Sequence, residues 1–128
     1  MVPKFRAFSI EAKTMHNVLA IDFSRNMYCL QIGKATIGEW FWFREIELMQ
    51  STGLKDKNGV EIFEGDVLTS NVQPCKMVNP IKDGYGVVRF ENGMFKLGAI
   101  SLVTFISKME VIGNIYENPE LLEQAHEI

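Results

Sequence analysis

The chain has 128 residues, 47% hydrophobic and 23% charged, with a formal net charge of -3. That length supplies about one domain, large enough to hold a core without metal or disulfide staples. The acidic balance argues against neutralising many phosphates of a duplex, although a local basic patch can still do so. The longest weakly charged stretch, Leu97 to Ile106, is too short to cross a bilayer.

From the N-terminus the apolar pattern has mostly period two. Phe5 and Ala7 alternate with Arg6 and Phe8. Lys4, Arg6, Glu11 and Lys13 break up any apolar run of the kind a signal peptide needs. In Met15 to Phe23, Val18, Ala20 and Asp22 fall on one face and Leu19, Ile21 and Phe23 on the other. Ser24-Arg25-Asn26 suits a tight turn, and Tyr28 to Ile32 resumes the alternation. This predicts three short antiparallel strands.

Residues 36–50 read two ways. As a strand, Trp40 and Trp42 face one side and Phe41 and Phe43 the other. The following REIELMQ suits a helical turn. Next, Asn58-Gly59 lies between Leu48–Leu54 and Val60–Phe63. It is a strong hairpin signal, because both residue types accept positive φ. Glu64-Gly65-Asp66 predicts another turn, and Val67 to Val72 a strand.

Gln73 to Gly84, with Pro74 and Pro80, reads as a long surface loop. Tyr85 to Phe90 and Met94 to Leu97 flank a second Asn-Gly pair at 92–93. Ala99 to Ile106 is either a strand or irregular, and Met109 to Tyr116 is a strand. A helix then starts: Asn118 can cap, Pro119 fits the first helical position, and Glu120 and Glu123 suit the positive end. Such a short helix is marginal alone, so Leu121, Leu122 and Ala125 need a surface to dock on. Strands dominate, and the expected architecture is a small barrel or sandwich.

Several motifs invite chemistry and are better explained without it. Asp56, Asn58, Glu61, Glu64 and Asp66 bring many oxygens together, but their spacing departs from a calcium loop and Lys55 and Lys57 oppose a dication. His16 and His126 are isolated, with no nucleophile and acid set beside them. Gly84-Tyr85-Gly86 leads into a strand rather than the helix a dinucleotide site requires. Cys29 and Cys75 form no CxxC pair and read as free thiols in a reducing cytoplasm. No catalytic residue, cofactor or metal is expected.

Three stretches carry a family resemblance: KFRAF at 4–8, LMQSTGLKDKNGVEIFEGDVL at 48–68, and MEVIGNIYENPELL at 109–122, with GVVRFENGMF at 86–95 between the last two. In this order they resemble the YopX family of small proteins encoded by phages and prophages of Gram-positive bacteria. Phe8 stands where the family more often has Trp. The resemblance implies a core related to small Src-homology-type barrels with an N-terminal extension. It brings no activity and no catalytic residues.

The expected fold is therefore mainly β. Residues 1–45 form an N-terminal antiparallel β extension in the same compact unit as a Src-homology-like barrel core, 46–128, that ends in a short helix. The expected function is that of a non-enzymatic phage or prophage accessory protein, cytoplasmic in the host cell and away from the membrane. It works as a homo-oligomer or with a phage or host protein. Small barrels expose edge strands, and beyond scattered lysines this chain shows few devices to block them. The candidate interface is Trp40, Phe41, Trp42 and Phe43. That run can also be buried in the chain's own core, the simplest reading of a strand apolar on both faces, or form a nucleic-acid stacking platform. In an alternative reading the protein is a nucleic-acid-binding β-barrel, with Lys76, Lys82, Arg89 and Lys96 along one side.

Overall fold

The structure, a computed structural model, describes residues 4–34, 37–69, 85–97, 100–104 and 106–121. The chain divides into two compact units, Met1–Gln50 and Ser51–Ile128. The fold is mainly β, and every strand pairing in it is antiparallel.

In the first unit the strands are β1 (Phe5–Ser9), β2 (Thr14–Asp22), β3 (Met27–Gln31), β4 (Gly38–Trp42) and the start of β5 (Ile46–Lys55). Their order is β4-β3-β2-β1-β5, so β4 lies at an edge. The expected Ser24-Arg25-Asn26 turn is present, with Asn26 at φ 54°. Asn accepts this left-handed conformation better than most residues. The period-two reading of β2 needs one correction. Val18 pairs with Leu30 and Ala20 with Cys29, so a bulge at this point adds one residue. Val18 and Ala20 consequently face opposite sides of the sheet. Ala7, Leu30 and Ile46 form the buried core of this unit, with Val18, Tyr28, Phe41 and Leu48 packed against them.

Over residues 37–50 the strand reading holds for Gly38–Trp42, while the helical turn is confined to three residues and most of REIELMQ is strand. Gly38–Trp42 is a strand and Phe43–Glu45 a 3-10 turn, after which Ile46 begins β5. Glu45 makes the turn by folding back, its Oε2 accepting the Trp42 N–H at 2.9 Å.

In the second unit, Ser51 and Lys55 of β5 pair with Phe63 and Glu61 of β6 (Glu61–Phe63). The remaining strands are β7 (Asp66–Thr69), β8 (Tyr85–Glu91), β9 (Met94–Leu97), β10 (Ile100–Ser101) and β11 (Glu110–Asn114). They form a sheet in the order β10-β9-β8-β7-β11. Ile62, Leu68, Val88, Leu97, Leu102 and Met109 are its buried core. Among the described residues no hydrogen-bonded pairing closes this sheet into a barrel. After β10 the chain winds into 3-10 turns at Leu102–Thr104 and Ile106–Lys108.

Both Asn-Gly turns form, in different ways. Asn92 and Gly93 have φ 54° and 79°, the two positive values of a type I′ hairpin. At the first turn only Gly59 is left-handed, at φ 82°. Asp56 N–H donates to the Val60 carbonyl and Gly59 N–H to the Asp56 carbonyl, which is a three-residue loop ending in a glycine bulge.

The short C-terminal helix begins at residues 119–121; Leu122, Ala125 and His126 lie outside the described residues. Its start differs from the expected cap. Asn118 Oδ1 reaches back to the Asn114 N–H at 3.2 Å, and the Leu121 N–H is taken by the Asn118 backbone carbonyl at 3.0 Å. Asn114, itself buried, accepts the Tyr116 and Glu117 N–H groups. A Cβ on Gly113 would run into Asn118 Oδ1 and stand 2.9 Å from Leu121 Cδ1. The helix start therefore packs directly on β11.

Candidate binding face

Strand β4 owes its two faces to the alternation of a pleated strand. Phe41 turns inward to the core of the first unit. Phe43, just beyond the strand, stacks on Tyr28 with centroids 4.3 Å apart and meets Phe23 edge-on at 6.2 Å. Burial pushes the Tyr28 phenol up from its ordinary pKa. Trp40 and Trp42 turn the other way and stay 42% and 41% exposed. The core reading thus holds for Phe41 and fails for the two tryptophans. A strand at the edge of a sheet with only one packed face leaves its second face to solvent.

Each indole carries a guanidinium. Arg25 lies over Trp40, 5.0 Å from the ring centroid, and Arg44 over Trp42 at 5.2 Å. Arg25 is aimed by the turn it belongs to: its Nε–H donates to Asp22 Oδ2 at 2.6 Å. Asp22 Oδ1 also accepts the Ser24 hydroxyl at 2.6 Å and the Ser24 and Arg25 N–H groups. Hydrogen bonds from Ser24 and then Arg25 hold the Asp22 carboxyl down at about 2. Among the described residues Arg44 has no ion-pair partner. Arg25, Asn26, Trp42, Phe43 and Arg44 line a cavity of about 370 Å³.

The edge of β4 is less open than expected. The Trp42 N–H is already held by Glu45, so a strand adding to this edge would have to displace a carboxylate. That is an edge-blocking device the sequence reading did not find.

The other sequence candidates are scattered. Arg89 and Lys96 face each other across β8 and β9 in the second unit. Lys76 and Lys82 lie outside the described residues, as does Cys75. His16 is engaged by Gln31 O through Nδ1 at 3.1 Å and by Thr14 Oγ1 through Nε2 at 2.6 Å.

The acidic block of the first Asn-Gly turn serves the backbone. Asp56 is buried, its Oδ1 accepting the N–H groups of Asn58 (2.8 Å) and Val60 (2.9 Å) and its Oδ2 that of Val111 (2.9 Å). Burial alone would raise its pKa, but the N–H groups of Val111, Val60 and Asn58, with Lys57 beside it, bring the net shift down. Asp66 Oδ2 accepts the Phe63 N–H at 2.8 Å, and Glu61 Oε2 the Ser51 hydroxyl at 2.5 Å. Among the described residues no group of three or more His, Cys, Asp or Glu side chains is placed to hold a metal ion.

Sequence reasoning counts Arg44 among the basic residues beside the aromatic run, outnumbered by Glu39, Glu45 and Glu47, and misses Arg25. The available signal for the two arginines was their position, one in the turn before β3 and one directly after WFWF. Which ring each would cover depends on strand pairing.

No curated protein matches the chain. Among solved structures it is similar to protein EF1440 from Enterococcus faecalis, with 36% identity and a TM-score of 0.69 over 96% of this chain and 99% of that one. The family model described as YopX protein matches residues 4–123. With nearly its whole length matched, the chain belongs to the YopX family.

Proposed function

We propose that this protein is a non-enzymatic interaction module that associates with further copies of itself through the outer rim of β4. One observation carries the reading. Trp40, Trp42, Ile37 and Phe23 are 42%, 41%, 81% and 77% exposed, along one edge strand and the turn beside it. At about 150–250 Å² for a large aromatic side chain, these exposures sum to roughly 450 Å² of apolar surface, with Phe23 set against Phe43 rather than against the indoles; apolar area of this extent on a soluble protein is often functional. Glu45 favours contact through the faces of the rim over strand addition along its edge. The non-enzymatic part is supported by where the carboxylates go: Asp22, Asp56 and Asp66 all bind backbone N–H groups. A phage or prophage accessory role in the host cytoplasm is what the family resemblance suggests. The free, buried Cys29 suits that reducing compartment.

The test is the mass in solution at micromolar concentration. A multiple of 14.6 kDa is expected for the parent, and a lower multiple for a Phe23→Ser, Ile37→Ser double variant. A monomeric parent overturns the reading.

A further inference from the structure

We infer that the outer face of β4 binds single-stranded nucleic acid, with bases against Trp40 and Trp42 and a phosphate in the pocket between Arg25 and Arg44. This goes beyond the self-association reading: both use Trp40 and Trp42, but this one rests on the guanidiniums over those rings and that one on Phe23 and Ile37 as well, so nucleic acid and a second copy would compete for the indoles.

Three features of the face carry the inference. The first is the spacing of the rings. Residues two apart on a strand stand about 6.7 Å from each other on one face, which is the spacing of bases in a drawn-out single strand and twice that of stacked bases in a duplex. Trp40 and Trp42 keep about two-fifths of their surface exposed even with a guanidinium on each ring. A base can therefore stack on the open part of an indole or on the guanidinium plane itself.

The second feature is the charge beside the rings. Arg25 is held through Nε to Asp22 and its side chain stays 57% exposed. Arg44 has no carboxylate partner among the described residues. Two guanidinium forks on one pocket match the oxygens of a phosphate. Of the acids beside this face, Asp22 is paired with Arg25, Glu45 is turned to the Trp42 N–H, and Glu39 adjoins Trp40 in the chain.

The third feature is size. The pocket lined by Arg25, Asn26, Trp42, Phe43 and Arg44 measures about 370 Å³, room for a nucleoside phosphate. The protein's negative total charge restricts the contact to a short segment, one or two nucleotides per copy, because binding in proportion to length needs a continuous basic track. Arg89 and Lys96 belong to the second unit.

The chain's two tryptophans are the two stacking residues, so intrinsic fluorescence reads the site directly. The full-length Trp40→Phe variant leaves Trp42 as sole reporter. Titrating it with oligothymidylate in 50 mM salt is expected to quench the signal, with several-fold weaker binding in 200 mM salt. Arg44→Gln and Arg25→Gln are each expected to weaken binding at least about fivefold. Arg44→Lys, which keeps the charge and loses the plane, should fall between. A duplex of equal length should bind more weakly, because its bases are already stacked. The inference is overturned by no quenching with the oligonucleotide, by unchanged affinity in the folded glutamine variants, or by equal affinity for duplex and single strand. Inorganic phosphate reproducing the full quench would also overturn it, by showing an anion pocket with no base recognition. Light scattering on the glutamine variants keeps the two readings apart. An unaltered mass with lost binding separates nucleic-acid contact from self-association.

Discussion

Asp56 is a buried side chain that ties its own loop to β11 in the second unit. Its carboxylate takes N–H groups from Asn58 and Val60 within its own loop and from Val111, 55 residues away. The loop is further tied to the neighbouring segment by Lys57 N–H donating to the Met109 carbonyl and by the Lys57–Glu110 ion pair. Replacing Asp56 with Asn keeps one acceptor oxygen and turns the other into a donor. Either the Val111 N–H or the pair Asn58 and Val60 then loses its acceptor. Leaving one such group unsatisfied costs about 1–3 kcal/mol. Asp56→Ala removes every acceptor and should cost about 3–5 kcal/mol, at the upper end for single substitutions. For a chain of this length each kcal/mol lowers Tm by roughly 3–5 °C, so Asp56→Asn should melt about 5–10 °C early by circular dichroism.

The same site sets a pH dependence. The folded-state pKa of Asp56 lies below its ordinary 3.8. Its contribution is therefore complete above that ordinary value and disappears as pH falls below 3.8 toward the depressed folded value. The melting temperature of the parent should drop across this acid window more steeply than that of Asp56→Asn. A Tm for Asp56→Asn within 1 °C of the parent at pH 7 would refute the reasoning, since it would mean that the three N–H groups do not depend on the carboxylate.

Three further substitutions test the turns and the helix start. A Cβ added at Gly59 or Gly93 meets nothing within 4 Å, so Gly59→Val and Gly93→Val isolate the backbone term at φ 82° and 79°. Each should lower the urea midpoint by the equivalent of about 1–2 kcal/mol, and an unchanged midpoint in both would place the strain elsewhere. Gly113→Ala introduces a methyl against Asn118 and Leu121. It should cost about 1–3 kcal/mol and speed amide exchange at Asn114 and Leu121; unaltered exchange at those two amides would show that the helix start is not seated on β11.

Local chemistry was enough to place most of the strands and turns of this protein, though not to decide residues 36–50 or Ala99 to Ile106. Alternating apolar residues, Asn92-Gly93, Asn58-Gly59 and the short turn at Ser24-Arg25-Asn26 all act within a few residues, and each stands where its pattern placed it. The mainly β class follows from those local signals. Tertiary structure alone decided three things. The bulge between Val18 and Ala20 exists because β3 offers one residue fewer at that point, and no pattern within β2 records the count of its partner. Trp40 and Trp42 face solvent because β4 is the last strand of its sheet. The same WFWF in a central strand covered on both sides would be core, and strand order is a property of the assembled sheet. Asp56 resembled a cation ligand in sequence and became a backbone anchor because β11 delivers the Val111 N–H to it. That contact joins residues 55 apart, and only the closed chain brings them within hydrogen-bonding distance.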